Sequence, residues 1–325
     1  MSTSTANELR ARCDSVRDAP SRVALRPRYE GSNICTWIGF KHVNYLVEEA
    51  VLDHFRAAGL PARALFEEYG LGLDLVGLNT RIAHALHMDD LVEATVTPTT
   101  AGEEAGFGFR VRLTVERDGK QVRAAAATVR AVLVPGTFGG DIAECPAELA
   151  PFVVSGPIDP AAPSAEVDVT DRAAVLKQLT AGRNAFGWKW RIPYFYCHFT
   201  ERLQMSGYLR QMEEVVDLFL ADRDISIRQL LADRKWIPVV PASSIRILDH
   251  ARMEEDLYTV FTVEDVYKEF TYSARMDCYV VRDGALLHTA TGAITHGYAV
   301  IEDRRDWSLA SFDDRVLEAL RVEAK

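Results

Sequence analysis

Residues 208–220 read Tyr-Leu-Arg-Gln-Met-Glu-Glu-Val-Val-Asp-Leu-Phe-Leu, and residues 43–55 read Val-Asn-Tyr-Leu-Val-Glu-Glu-Ala-Val-Leu-Asp-His-Phe. At an offset of 165 the two Glu-Glu pairs coincide, and identities accumulate on both sides without a gap. Arg63 and Leu65 meet Arg228 and Leu230; Arg81, Ile82 and Met88 meet Arg246, Ile247 and Met253. Further on, Arg117-Asp118-Gly119 meets Arg282-Asp283-Gly284. About one position in five is identical over about 80 positions, so the chain is read as one unit used twice. Each copy runs in one order. A helix comes first (43–58 and 207–221), with apolar residues at helical spacing. A variable polar stretch follows (61–74 and 226–238), and then a run of strands. The Arg-Asp-Gly of each copy suits a tight hairpin reversal between β-rich runs.

The rest of the chain bounds the function. At 325 residues, 48% hydrophobic and 26% charged, the composition is that of a globular protein, and the length suggests two domains. A net charge of −10 with no basic patch interleaved with aromatics argues against a nucleic-acid partner. No apolar run reaches the length of a membrane span. Five scattered cysteines without a Cys-x-x-Cys suit a reducing cytoplasm and form neither a disulfide framework nor a zinc site. The histidines show no metal-like spacing, so no metal and no cofactor are expected. The division expected is a mobile lead-in at 1–22, repeat one at 23–136, a Pro/Gly/Ala-rich connector at 137–185, repeat two at 186–303, and a tail at 304–325 that ends in a short helix.

A Tyr-Leu-x-x-x-Glu-Glu helix followed by strands of this layout resembles the hotdog fold, in which a curved antiparallel sheet wraps a central helix. Tyr208-Leu209-Arg210-Gln211-Met212-Glu213-Glu214 is similar to the thioesterase branch related to 4-hydroxybenzoyl-CoA thioesterase. The resemblance covers roughly residues 30–135 and 190–300, and implies an α+β double hotdog with the two repeats paired inside one chain. In that family the substrate sits in the seam between paired units, and by the same resemblance tandem units are expected to pair further as homo-oligomers. It also implies a substrate: an acyl thioester of CoA or of acyl carrier protein.

The family's Asp-x-x-Gly-His-Val-Asn-Asn signature before the helix is absent. Counting back from Tyr208 puts His198 at the Asp position and Glu201 at the Gly position; the first copy has Asn33 and Thr36 there. Hydrolysis needs a carboxylate to attack the thioester or activate water, and donors at the carbonyl oxygen. The expected catalytic set is His198 with Glu201, Glu49 and Glu213; one glutamate of each helical pair should point inward. Gln204, Ser206, Tyr208, His42, Asn33 and Thr36 are the expected substrate-binding residues. Plainer readings stand beside these: a Glu-Glu pair is often a solvated helix face, and the equivalent strand residues Arg81 and Arg246 read as symmetric structural ion-pairing positions ahead of CoA phosphate binders. Cys197 beside His198 invites a nucleophile reading, but neighbours on a strand point to opposite faces. Two other functions remain open: a dehydratase or hydratase pairing His198 with Glu48 or Glu49, and a non-catalytic acyl-thioester binder.

Overall fold

The computed structural model describes residues 3–99, 105–137, 144–159, 164–166, 172–303 and 306–321. Repeat one contains β1 (Ser21–Leu25), α2 (Phe40–Ala57), α3 (Ala62–Tyr69), β2 (Leu71–Ile82), β3 (Val92–Thr99), β4 (Phe107–Arg117) and β5 (Lys120–Pro135), preceded by α1 (Thr3–Asp18). After β6 (Ser164–Glu166) and α4 (Arg172–Thr180), repeat two contains β7 (Ala185–Arg191), α5 (Met205–Asp222), α6 (Ile227–Arg234), β8 (Trp236–Ile247), β9 (Asp256–Tyr267), β10 (Thr271–Arg282) and β11 (Ala285–Ile301). Strand β12 (Trp307–Leu309) and α7 (Asp314–Ala319) close the chain. The 165-residue offset carries each element of the first unit onto its counterpart in the second, from β1 onto β7 to β5 onto β11.

The strands form one continuous sheet in the order β1-β3-β4-β5-β2-β8-β11-β10-β9-β7. That order reads the same from both ends once β2 is matched with β8. The join is antiparallel, with Gly77 opposite Arg246, Asn79 opposite Ser244 and Arg81 opposite Ala242. Asn79 and Ser244 are offset equivalents of each other, so they sit on the local two-fold axis. Both Asp-Gly hairpins take the doubly left-handed turn that a two-residue reversal needs, with φ of 50° and 72° at Asp118 and Gly119 and 52° and 79° at Asp283 and Gly284.

One helix per repeat lies on the inner face of this sheet. Helix α2 buries Val43, Leu46, Val47, Ala50, Val51 and Phe55; α5 buries Tyr208, Leu209, Met212, Val215, Val216 and Phe219. Asn44 pins α2 to the join: it accepts from the Thr80 hydroxyl at 2.6 Å and donates to Ser243 Oγ at 3.2 Å, one residue on each side of the two-fold.

Three expectations need correcting. The stretch expected as a mobile lead-in holds α1, which buries Leu9, Cys13 and Val16. His54 anchors it: the Val16 carbonyl at 2.9 Å can only accept, so Nε2 donates there and Nδ1 accepts from the Ser21 hydroxyl at 2.8 Å. The two polar stretches after the central helices each contain a short helix, α3 and α6. Helix α6 begins in a Ser226–Gln229 capping box, and both end on a left-handed residue, Gly70 and Lys235. The connector holds α4 and the short strand β6; its residues 138–143, 160–163 and 167–171 lie outside the described residues.

Candidate active site

On α2, Lys41, Tyr45 and Glu48 fall at i, i+4 and i+7 and share one stripe; their equivalents on α5 are Ser206, Arg210 and Glu213. The two stripes run antiparallel along the seam. Lys41, in the first turn of α2, forms an ion pair with Glu213, in the third turn of α5. One turn further along α2, the Tyr45 hydroxyl donates to the Ser206 carbonyl at 3.2 Å, at the start of α5. The Arg210 guanidinium lies 5.8 Å from the Tyr45 ring centre and 5.5 Å from that of Tyr196. The two-fold therefore sets Glu48 toward Ser206 as it sets Glu213 toward Lys41. The chemistry of the two positions differs. Lys41 neutralises Glu213, whereas Ser206 carries no charge.

Glu48 has no ion pair or hydrogen bond among the described residues. Part of its side chain keeps some surface exposure while protein crowds its carboxyl. Burial, with the neighbouring Glu49 carboxylate adding to it, raises its pKa to about 7. Glu49 is the other member of the pair and turns outward, about half exposed and 3.5 Å from Arg56. Of the pair, Glu48 is the inward member, and Glu49, the one in the expected catalytic set, faces solvent.

The loop before α5 brings His198 to Ser206. The residue adopts a left-handed φ of 52°, and its Nε2 lies 2.8 Å from Ser206 Oγ. Crowding by protein lowers its pKa; the Asp74 charge opposes this and Arg210 reinforces it, so the ring is neutral at pH 7. The loop is tied from within. Gln204, the residue capping α5, donates its amide to Thr200 Oγ1 at 3.0 Å and the Arg202 carbonyl at 3.1 Å. It gives no side-chain bond to the helix, leaving the N–H groups of Met205 and Ser206 at an open helix N-terminus. Beneath the loop, Arg202 makes a two-pronged buried ion pair with Asp74 of β2, at 2.7 and 3.1 Å. Gly72 leaves room for it, since a Cβ there would come within 2.5 Å of the guanidinium. This pair joins the site loop to the other repeat.

The remaining expected residues divide as follows. Ser206 stands with His198 in the seam. Glu213 is in the seam but neutralised by Lys41. Glu201 instead accepts from the Thr137 hydroxyl, and its carbonyl accepts from Met253 N–H at 2.8 Å. Gln204 uses its side chain inside the loop, and the Tyr208 ring is wholly buried in the core, so neither lines the seam as a donor to substrate. Asn33 caps a turn by accepting from Ile34 N–H at 2.8 Å, and Thr36 is exposed with φ 65°. Buried His42 reaches Glu30 at 3.4 Å. Cys197 is buried and its thiol pushed up to about 11, so it is protonated at neutral pH and is no nucleophile. Arg246 has the expected acidic partner, Asp159 at 3.2 Å, while Arg81 has no ion pair among the described residues. Around the site mouth the aromatic segment 194–199 is only partly core: Tyr194, Phe195 and Phe199 are exposed, and Phe199 packs edge-on against Phe66 at 5.1 Å. Sequence reasoning missed the Arg202–Asp74 pair and the facing stripes; the i, i+4, i+7 spacing from Lys41 was the available signal for Glu48. Among the described residues no group of side chains forms a metal-binding cluster, and no helix is long and apolar enough to cross a membrane.

No protein-family model matches the chain, and no curated protein matches its sequence. Solved structures do. The chain is similar to the 12:0-ACP thioesterase from Umbellularia californica, with a TM-score of 0.56 at 12% identity, over 86% of this chain and 94% of that one. A protein from Lactobacillus plantarum provisionally named as an oleoyl thioesterase gives 0.55 at 12%, over 88% and 98%. An acyl-ACP thioesterase from Bacteroides thetaiotaomicron gives 0.52 at 10%, over 85% and 97%. At such identities the likeness speaks for the fold. Together with the mirrored strand order it makes the chain a double hotdog, as its sequence led us to expect.

Proposed function

We propose that this double-hotdog protein hydrolyses acyl thioesters at the seam where His198 and Ser206 of repeat two face Glu48 of repeat one. The observation that carries the reading is Glu48: an unpaired carboxyl on the seam stripe, with a pKa of about 7. The names of the similar structures, thioesterases for oleoyl, 12:0-ACP and acyl-ACP substrates, supply the substrate class. The Glu48 carboxylate takes a proton from water, and the hydroxide formed attacks the thioester carbonyl. The open N–H groups of Met205 and Ser206 at the α5 N-terminus, with its positive dipole end, stabilise the oxyanion. As the tetrahedral intermediate collapses, the C–S bond breaks and the sulfur leaves. Protonated Glu48 returns its proton to it, and the His198–Ser206 bond holds the loop in position. The exposed rings of Tyr194, Phe195 and Phe199 give the acyl group an apolar entrance. The five free cysteines suit a reducing compartment.

Thiol release from acyl-CoA and acyl-carrier-protein substrates by wild type and Glu48→Gln tests this. Release by the wild type and its loss in the variant support the reading; equal turnover by both moves the base elsewhere. A second reading has one observation in its favour. A histidine from one repeat and a glutamate from the other is also the pairing a hotdog dehydratase or hydratase needs. Substrate consumed without free thiol would select it, and binding without turnover would select an acyl-thioester binder.

A further inference from the structure

The sheet has a second face, turned away from the helices, and the two repeats treat it differently. In repeat two, α4 lies across it: Val175 is buried with Tyr258 and Leu286, and Gly187 lets Leu176 and Thr180 approach closely. In repeat one no described helix crosses the equivalent face. Strand register defines its composition, because directly paired residues share a face. One row runs Arg22–Thr95–Arg112–Ala126–Arg81, and the next runs Thr97–Arg110–Thr128–Asn79. Arg123, opposite Thr114, lies on the same face. Arg22, Arg81, Arg110, Arg112 and Arg123 are all exposed, and their side chains have no ion pair or hydrogen bond among the described residues. Two carboxylates, Glu93 and Glu116, share the face. Beside the arginines, at the β2–β8 join, is a hollow of about 630 Å³ floored by small residues including Gly77, Asn79, Gly108 and Ser244.

Unpaired arginines gathered on one face of a chain with a net charge of −10 are a local reversal of sign. The fork of a guanidinium matches carboxylates two-prong to two-prong. Adjacent strands lie about 4.8 Å apart and alternate residues on a strand about 7 Å apart. Arg112 and Arg81, two strands apart, are therefore about 10 Å apart, and Arg110 and Arg112 about 7 Å. Carboxylates at i, i+4 and i+7 on a helix recur at about 6 and 10 Å. Repeat two already shows that a helix fits this side of the sheet, there through an apolar contact. Among the described residues this face carries no exposed aromatic ring for stacking bases, which disfavours a single-stranded nucleic acid.

We propose that the outer face of repeat one docks an acidic helix of a partner protein, held by Arg22, Arg81, Arg110, Arg112 and Arg123. The proposal rests on these charges alone and is independent of the hydrolytic reading.

The test is fluorescence anisotropy with a short helical peptide bearing a glutamate stripe, and its glutamine counterpart, at low and high salt. The proteins compared are the wild type, Arg81→Glu/Arg112→Glu, Arg81→Gln/Arg112→Gln, and the control Arg228→Glu/Lys268→Glu, which makes the same charge change elsewhere. Both arginines are exposed and unpartnered, so an unchanged melting temperature verifies folding of the variants. The expected result is salt-sensitive binding of the glutamate peptide, weakened about tenfold or more by either Arg81/Arg112 pair and kept by the control. Three results overturn the proposal: no binding of the glutamate peptide at low salt, equal loss in the control, or binding of the glutamine peptide as tightly. Tighter binding of duplex DNA or of anionic vesicles through the same arginines overturns it too, giving the face to a different partner class.

Discussion

The two ends of the α2–α5 seam are built from equivalent positions and do opposite things with them. At one, Lys41 meets Glu213, and the carboxylate is satisfied. At the other, Ser206 stands where the lysine would be, and Glu48 is left without a counter-charge. The turn before the helix differs likewise: Asn33 closes its own turn, while His198 reaches across to Ser206. A carboxylate that has a lysine is a structural element. One that lacks it, crowded by protein, has its pKa moved to where a base is useful at neutral pH.

The sharpest way to break this contrast is Glu48→Gln. Thiol release should fall by about 10²- to 10⁴-fold, while Glu49→Gln, on the solvent side, leaves the rate within about twofold. The pH profile carries the same assignment. The carboxylate is the active form, so turnover should rise with pH and level off above about 7, and the residual activity of Glu48→Gln should lack that limb. Stability moves in the opposite sense. The folded chain holds the Glu48 proton more tightly than the unfolded one, so its contribution is present below the ordinary value of 4.5 and lost as pH rises through about 7. Glu48→Gln should therefore melt higher than wild type above pH 7 and show no such advantage near pH 4.5, as read by thermal denaturation.

Next in size is Arg202→Ala. It leaves Asp74 buried and unpaired and should cost about 3–5 kcal/mol in denaturant unfolding. His198→Ala and Ser206→Ala should each lower turnover by about tenfold with little change in KM, because both act on the reacting geometry. Smallest are the changes at the quiet end of the seam. Lys41→Ala and Glu213→Gln should each alter stability by less than about 1 kcal/mol and turnover by less than about threefold. Loss of most thiol release in Glu213→Gln would erase the distinction between the two ends.

How much of this the sequence contains depends on how local each constraint is. The duplication is legible because helix phase and the Asp-Gly reversals are local and recur at one offset. The choice between Glu48 and Glu49 is not local: it depends on where α2 meets α5, and only the stripe shared with Lys41 hints at it. The Arg202–Asp74 pair spans 128 residues and leaves no spacing to read. The short helices α3 and α6 were hidden by polar composition, since each buries a single residue, Leu65 and Leu230. Helix α1 was hidden for a similar reason: three buried side chains, held by one histidine, suffice to dock a polar segment.

The join between β2 and β8 has one more consequence. Its five residue pairs connect parts of a single chain, with Gly77 against Arg246 at one end and Arg81 against Ala242 at the other. Closing that loop costs chain entropy that grows slowly with length and does not depend on how many molecules are present. A seam formed by two separate subunits comes apart on dilution; this one has no dissociation constant to cross. Specific activity should therefore stay constant from micromolar protein down to the lowest concentration at which turnover is measurable.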